Sequence, residues 1–232
     1  MAVSLLDPAR VDFPSPEAAR QDGLLAVGGD LSPDRLLDAY RRGIFPWTDD
    51  PVTWWSPHPR AIFEIEAFVP PSRAAAKLAR GRFRLTRDSA FVEVMRGCAE
   101  PRPGREETWV SERFIAAYAE LHRRGHAHSV EVWEAGKLVG GIYGVALGGF
   151  FAGESMFHRV NDASKAALAG LMAHLRGAGF VLFDTQVATP LTRSLGAAEI
   201  PRAEYLRRLE RALALPARFE HGEIGRETEK GP

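Results

Sequence analysis

The chain has 232 residues, of which 45% are hydrophobic, and its 30 basic residues balance its 30 acidic ones. This length suffices for one good hydrophobic core, or for a small domain packed on a larger one. The zero net charge excludes the overall positive field that drives non-specific nucleic-acid binding, so any contact with RNA must be local.

The N-terminus and the cysteine content indicate the compartment. The first residues, MAVSLLDPAR, have no basic segment followed by a long apolar one, unlike a signal peptide. The single cysteine, Cys98, excludes an internal disulfide framework and disfavours a cysteine-based metal site. We therefore expect a cytoplasmic protein.

The N-terminal part is dense in Pro, Gly and Trp between residues 14 and 59, which predicts a small, loop-rich domain over residues 1–62. One helix is expected there. Ser32 would be its N-cap, Pro33 its first residue, and Gly43 would end it.

Residues 63–232 alternate between strand and helix patterns, which predicts a second domain of the α/β class. We expect Asp88, Ser111 and Asp162 to cap helices in this part. The predicted strands lie at about residues 61–65, 82–86, 129–133, 140–157 and 180–187. The predicted helices lie at about residues 71–80 and 203–214, and after the three capping residues.

The segment Gly140–Phe157 is an unusual stretch of this domain. No charge occurs from Leu138 to Gly153, over sixteen residues, and six of these residues are glycine. The segment is too short for the roughly 18 to 20 apolar residues of a membrane helix, and it predicts two central strands joined near Gly148. Strand glycines often lie where another backbone or a ligand comes close. Glu154 then follows, and a buried carboxylate needs a partner or a function.

The strand FVLFDTQV, residues 180–187, ends in two polar side chains, Asp184 and Gln186. A period of two places both on one face, about 6.6 Å apart along the strand. A strand end that simply enters solvent would look the same. If the strand of Glu154 is its neighbour, however, two carboxylates and an amide converge at a strand end, where ligands commonly bind in α/β sheets.

Other candidate groups are weaker. Ser155 lies in GESMF, which does not match the G-x-S-x-G nucleophile motif. The histidines show no H-E-x-x-H or comparable spacing, so we expect no metal site and assign them to surfaces and caps.

Four tryptophans, Trp47, Trp54, Trp55 and Trp109, lie in the loop-rich parts. Such residues usually pack at a domain interface. The alternative is stacking on an unpaired base, with Arg41, Arg42 and Arg60 near enough in sequence to contact phosphates.

Taken together, long collinear blocks of the chain resemble the leucyl/phenylalanyl-tRNA–protein transferases, bacterial enzymes of the N-end rule pathway. The blocks cover most of the chain: GLLAVGGDLSPDRLLDAYRRGIFPW (23–47), WWSPHPR (54–60), TWV (108–110), AYAELHRRGHAHSVEVWEAGKLVGGIYGVALGGFFAGESMF (117–157), DASKAAL (162–168), FDTQ (183–186) and SLGAAEIPRAEY (194–205).

The resemblance implies a small N-terminal domain, residues 1–62, and a GNAT-like acyltransferase domain with a mixed central sheet, residues 63–232. It implies transfer of Leu or Phe, and less well Met, from aminoacyl-tRNA to proteins that begin with Arg or Lys. It implies no metal or soluble cofactor and no membrane partner, and it is compatible with a monomer.

The resemblance also assigns residues. Asp184 and Gln186 match the family's catalytic D-x-Q, and Glu154 matches its acidic GESMF residue. Trp47 and Trp109 match aromatic residues that contact the terminal adenosine. The family's aminoacyl pocket positions fall on Ile142, Phe151, Met156, Leu168 and Leu171.

Three residues depart from the family pattern. Thr48 replaces an aromatic residue after FPW, His158 replaces a serine after ESMF, and Leu191 stands where a histidine is often found. The last two lie near the expected site, so the departures concern contacts with the tRNA end.

The resemblance implies direct transfer, because an aminoacyl ester is already activated and needs mainly alignment with a neutral amine. Asp184, oriented with Gln186, would hydrogen-bond that amine, and Glu154 would hold the pair or a cationic acceptor. Two alternatives remain. An acyl-CoA N-acyltransferase usually carries a glycine-rich pyrophosphate loop, where this chain has HRVNDASKAAL. A non-catalytic RNA-binding module would need the tryptophans alone.

Overall fold

A computed structural model describes residues 3–101 and 108–223 of the chain. These two stretches contain seven α-helices and twelve β-strands, arranged as a four-stranded sheet and an eight-stranded sheet. The protein is therefore of the mixed α/β class, as predicted.

The N-terminal part contains the smaller sheet, with strand order β1-β2-β4-β3, and helix α1, Pro33–Arg41. Ser32 is the N-cap of α1 and Gly43 follows its end with a φ of +73°, as predicted. The four strands are β1 Ser4–Leu6, β2 Leu24–Gly28, β3 Phe45–Asp49 and β4 Val52–Trp55. This sheet was not predicted, since its strands are short and interrupted by Pro and Gly.

The larger sheet is mixed and has the strand order β11-β5-β10-β9-β8-β7-β6-β12. Strands β6 to β9 form an antiparallel run, whereas β10 pairs with β9 in parallel. Its strands are β5 Arg60–Phe63, β6 Arg84–Arg87, β7 Ala127–Glu134, β8 Lys137–Leu147, β9 Phe150–His158, β10 Leu182–Gln186, β11 Ala198–Ile200 and β12 Gly222–Glu223.

Helices cover both faces of this sheet and create two hydrophobic cores. Helices α3 and α4 pack on the face that also carries the N-terminal part, and α2 and α5 pack on the other face. The helices after α1 are α2 Ser72–Ala79, α3 Phe91–Ala99, α4 Glu112–Arg123, α5 Ala163–Gly177, α6 Pro190–Ser194 and α7 Arg202–Leu213.

The two polar strand ends are adjacent, which is the condition for Glu154, Asp184 and Gln186 to converge. Strand β10 lies beside β9, with Asp184 paired to Ala152, two residues before Glu154. Strand β5 lies on the other side of β10 and pairs with it antiparallel. The ends of β5, β9 and β10 thus meet next to the N-terminal sheet.

The segment Gly140–Phe157 forms the predicted pair of strands, β8 and β9. Most of its glycines allow side chains or backbone of the same chain to come close to the strand. A Cβ on Gly140 would lie 2.6 Å from the Cβ of Ala163 in α5, so this glycine lets the helix approach the sheet. Gly153 borders the cavity described below, where a Cβ would lie 2.5 Å from the ring of Phe183.

Two local expectations were wrong. Asp88 does not cap α3, which begins after Ala90; its carboxylate instead accepts a hydrogen bond from the backbone nitrogen of Ser129, at 2.8 Å. The regular alternation of β10 also breaks after Asp184, because its pairing with β5 shifts there and Gln186 has a φ of +63°.

In residues 3–101 and 108–223, no helix combines the length and apolarity needed to cross a membrane.

Candidate active site

A cavity of about 270 Å³ opens where β9 and β10 meet the N-terminal sheet. Its wall is largely apolar, and its polar groups include a carboxyl, an amide and several hydroxyls. The lining residues are Phe45, Pro46, Trp47, Phe63, Trp109, Ile142, Gly153, Glu154, Ser155, Met156, Leu168, Phe183, Thr185, Gln186, Val187, Thr189 and Thr192.

Glu154 is the carboxyl of this cavity and is only 9% exposed. Its Oε1 accepts hydrogen bonds from the hydroxyl of Tyr40 in α1 and from Nε2 of Gln186, both at 2.8 Å. The Tyr40 hydroxyl also forms a short hydrogen bond with the hydroxyl of Tyr118 in α4. The N-terminal part therefore contributes directly to the site.

Burial raises the pKa of Glu154 from 4.5 to about 8, and the charge of nearby Asp184 acts in the same direction. The hydrogen bond from Tyr40 and the charge of Arg60 oppose this shift. Burial also raises the pKa of Tyr40 well above its usual value, so its hydroxyl remains a donor. Glu154 can thus exchange a proton near neutral pH.

Asp184 is fully buried and lies behind the cavity wall. Its carboxylate accepts two hydrogen bonds from Arg60, at 2.9 and 2.6 Å, and one from the hydroxyl of Tyr205 at 2.8 Å. Its Oδ1 also accepts the backbone N–H of Gln186 at 2.8 Å. This last contact holds the left-handed backbone of Gln186, which directs the amide toward Glu154.

Arg60 is buried between the rings of Phe45 and Tyr205, at 4.9 and 4.4 Å from their centroids, and also donates to the carbonyl of Gly43 at 3.0 Å. The alternative in which Arg60 contacts an RNA phosphate does not fit this position, because its charge is neutralised by Asp184 inside the protein.

The five predicted aminoacyl pocket residues separate into two groups. Ile142, Met156 and Leu168 line the cavity. Phe151 and Leu171 are each 1% exposed and lie in the core behind it. Phe151 supports the cavity wall indirectly, since its ring packs edge-on against Phe183 with centroids 5.4 Å apart.

The predicted tryptophans also differ from one another. Trp47 and Trp109 both border the cavity, and Trp47 is 39% exposed. Trp47 packs against Trp55, with ring centroids 5.2 Å apart. Trp54, in contrast, is fully buried and donates its indole N–H to the carbonyl of Gly28, so it belongs to the core of the N-terminal part.

No role in this site was predicted from the sequence for four of its residues, Tyr40, Tyr118, Arg60 and Tyr205. Their partners lie far away along the chain, as for Arg60 and Asp184, which are 124 positions apart. A strand that ends in an aspartate after an apolar run does indicate a buried counter-charge, but it does not identify the arginine.

The arrangement combines an apolar pocket with a carboxyl able to take up a proton at its edge. It suits an apolar acyl chain whose reacting carbon meets an amine beside Glu154 and Gln186. The start of α5 does not offer an anion site, because Asp162 lies there with its carboxylate 2.9 Å from the Lys77 amine.

Comparison with known proteins gives consistent matches. The family model described as leucyl/phenylalanyl-tRNA protein transferase matches residues 62–210, and the model of that family's N-terminal domain matches residues 29–58. A protein of the same name from Shewanella baltica (strain OS185) is 53% identical over 84% of this chain and 84% of its own length. One from Anaeromyxobacter sp. (strain Fw109-5) is 52% identical over 90% of each.

Among solved structures, L-PGS from Bacillus licheniformis matches 72% of this chain and 54% of its own, with 11% identity and a TM-score of 0.41. This likeness is too low to support an argument.

Proposed function

This chain belongs to the leucyl/phenylalanyl-tRNA–protein transferase family and is an aminoacyltransferase. We propose that the aminoacyl group is transferred from the tRNA to the acceptor amine in the cavity beside Glu154. The observation that supports this site is the pairing of an apolar pocket with the hydrogen-bonded Glu154 and Gln186 at its edge.

The leucyl or phenylalanyl side chain would lie against Ile142, Met156 and Leu168. These side chains exclude a charged aminoacyl group, because its burial among them would not be compensated. A difference of one methylene is worth only ~1 to 3 kcal/mol in such a pocket, so Met would be accepted less well rather than rejected.

The terminal adenosine of the tRNA would stack on Trp47 or Trp109, which border the cavity. An aromatic ring suits this contact because stacking holds an unpaired base without requiring a groove. Leu-tRNA and Phe-tRNA would therefore be held mainly through their aminoacyl ends.

Glu154 is our candidate for the proton acceptor. The α-amine of the acceptor protein attacks the ester carbonyl, a C–N bond forms, and the bond to the ribose oxygen breaks. The amine proton passes to Glu154 and from there to the leaving ribose oxygen, which balances the reaction. The pKa of Glu154, about 8, is close to that of a peptide α-amine, ~7.7 to 8.0, which suits a shared proton.

Asp184 takes a positioning role in this mechanism rather than the direct contact with the amine that the sequence suggested. Its carboxylate is saturated by Arg60, Tyr205 and the backbone of Gln186. It thereby holds the amide of Gln186 beside Glu154, where that amide orients the attacking amine.

The finer features of the function follow from the family resemblance. We propose that the acceptors are proteins beginning with Arg or Lys, that the product enters N-end rule degradation, and that the protein acts in the cytoplasm as a monomer. We also retain the division into an N-terminal domain of residues 1–62 and a GNAT-like domain of residues 63–232. The N-terminal domain would support catalysis through Tyr40, which donates to Glu154.

A transfer assay tests the proposal. The purified chain is incubated with labelled Leu-tRNA, or with labelled acetyl-CoA, and with two peptides that differ only in beginning with Arg or Ala. We expect leucine to reach the Arg peptide alone. Transfer from acetyl-CoA would favour the acyl-CoA alternative, transfer from neither donor would favour a binding module, and equal labelling of both peptides would refute the acceptor specificity.

A further inference from the structure

We propose that Asp88, His128 and His221 bind a divalent transition-metal ion, best matched by Zn²⁺, and that this ion fastens the C-terminal segment to the central sheet. The three residues lie outside the transfer cavity. The proposal concerns the stability of the protein rather than the transfer chemistry.

The three side chains converge on one point. Nδ1 of His128 and Nδ1 of His221 lie 2.8 and 2.7 Å from the same carboxylate oxygen, Oδ2 of Asp88. All three ligand atoms lie within 4.8 Å of one another. Ligand atoms around a tetrahedral Zn²⁺, at bond lengths of ~2.0 to 2.2 Å, are about 3.4 Å apart, so separations of this size need only small side-chain movements.

The outer atoms of two of these side chains are already held in the way that metal ligands usually are. Nε2 of His128 lies 3.2 Å from the carbonyl oxygen of Gly125, and Oδ1 of Asp88 accepts the backbone N–H of Ser129 at 2.8 Å. Metal-binding histidines almost always donate a hydrogen bond from their second ring nitrogen, as His128 does here, and this bond fixes the ring and its tautomer. Both side chains are nearly inaccessible, at 4% and 2% exposure.

The same hydrogen bonds leave one ring nitrogen and one carboxylate oxygen facing each other. A carbonyl oxygen only accepts, so Nε2 of His128 donates to Gly125, and Nδ1 is the ring atom that faces Oδ2 of Asp88 at 2.8 Å. A metal ion between this nitrogen and this oxygen would bond to both. A second ring proton is the alternative occupant, and the experiment below distinguishes the two.

The third ligand comes from the C-terminal segment, residues 217–223. Phe219 in this segment stacks on the ring of His128, with centroids 4.3 Å apart, and Gly222 pairs with Arg87 of β6. The side chain of His221 is 65% exposed. A bond from the ion to His221 would add a further link from this segment to His128 in β7 and to Asp88, the residue that follows β6.

The ligand chemistry selects the class of ion. Two imidazole nitrogens and one carboxylate oxygen suit Zn²⁺ and its transition-metal neighbours, whereas Mg²⁺ and Ca²⁺ prefer oxygen ligands throughout. Because His221 lies at the surface, a water molecule can take the fourth position. The linear sequence gives no sign of the site, since its three ligands come from separate segments.

The experiment uses the full chain without a polyhistidine tag, stripped with a chelator and titrated with Zn²⁺, and with Co²⁺ as a spectroscopic probe. We expect one ion per chain, visible absorption bands of Co²⁺ in a four-coordinate site, a higher melting temperature, and slower proteolysis of the C-terminal segment. Absence of saturable binding would overturn the proposal and leave the proton as the occupant.

Two variants test the ligand assignment. His221→Ala removes an exposed side chain and should leave the fold intact, yet weaken binding at least about tenfold and abolish the protection of the segment. His126→Ala is the matched control, because His126 borders the same surface cavity as His128 and His221 without belonging to the ligand group. Wild-type affinity in His221→Ala, or equal loss in His126→Ala, would refute the assignment.

Discussion

Replacing Glu154 with Gln should change how transfer depends on pH. The substitution keeps the size of the side chain and its acceptor oxygen for Tyr40, but removes the group whose pKa burial raises to about 8. With this pKa, only about one tenth of unliganded wild-type chains carry an ionised Glu154 at pH 7. The variant should transfer the aminoacyl group roughly 100-fold more slowly, which is the lower end of the rate loss expected when a general base is removed.

The shape of the pH profile gives the sharper test. Below about pH 7, both Glu154 and the acceptor amine must lose a proton in the wild type, because the amine pKa is ~7.7 to 8.0. The logarithm of kcat/KM for the acceptor peptide should therefore rise with a slope near two. In Glu154→Gln only the amine titrates, and the slope should fall to one. Equal slopes in single-turnover assays of the two proteins would refute the role of Glu154.

Stability should depend on pH through the same residue. The folded pKa of Glu154 lies above its unfolded value of 4.5, so the folded chain retains a proton that the unfolded chain releases. Glu154 should thus contribute most to the stability of the wild type below about pH 4.5, and this contribution should decrease as the pH rises toward 8. At about 1.4 kcal/mol per pH unit, the loss is at most ~5 kcal/mol relative to Glu154→Gln. Urea unfolding of both proteins at several pH values measures it.

Four further substitutions test the buried ion pair, the pocket wall and the tRNA contact. Asp184→Asn leaves its buried arginine partner without a counter-charge, so urea unfolding should show a loss of about 3 to 5 kcal/mol, and transfer should fall as Gln186 loses its orientation. Met156→Ala should raise the KM for Leu-tRNA, whereas Leu171→Ala should cost about 2 to 5 kcal/mol of stability without changing the preference between Leu and Phe. Trp47→Ala should weaken aminoacyl-tRNA binding by about 1 to 3 kcal/mol in a filter-binding assay.

Matched controls separate these effects from general damage. Glu64→Gln breaks a half-exposed ion pair with Arg208 and should change the free energy of unfolding by less than ~1 kcal/mol. Trp47→Phe keeps an aromatic surface and should retain most of the affinity for tRNA. An Asp184→Asn protein as stable as Glu64→Gln would contradict the buried ion pair, and a changed Leu to Phe preference in Leu171→Ala would contradict the assigned cavity wall.

Local patterns in the sequence predicted the elements that local forces determine. Pro33 and Gly43 delimit α1, and Ser111 caps α4 through a hydrogen bond to the backbone of Phe114. The apolar runs before Glu154 and Asp184 correctly indicated two buried strands, β9 and β10. In each case the signal lies within a few residues of the structure that it determines.

The parts that escaped prediction depend on contacts between distant segments. The partner of Asp184 is Arg60, and the donor to Glu154 is Tyr40, 114 positions away. A period of two could not reveal the bulge after Asp184, which requires the pairing with β5. Asp88 resembled a helix cap because its residue type favours caps, yet β7 holds its carboxylate.

In the proposed mechanism, Glu154 and Gln186 face the reacting groups while Asp184 acts from behind them. A crystal structure of the protein with adenosine and a Leu-Arg peptide, the products of transfer, tests it most directly. We expect the nitrogen of the new peptide bond to lie within about 3.2 Å of Glu154 or Gln186, with Asp184 still bound to Arg60. A peptide nitrogen bonded to Asp184, or a leucyl side chain outside the wall formed by Met156 and Leu168, would contradict it.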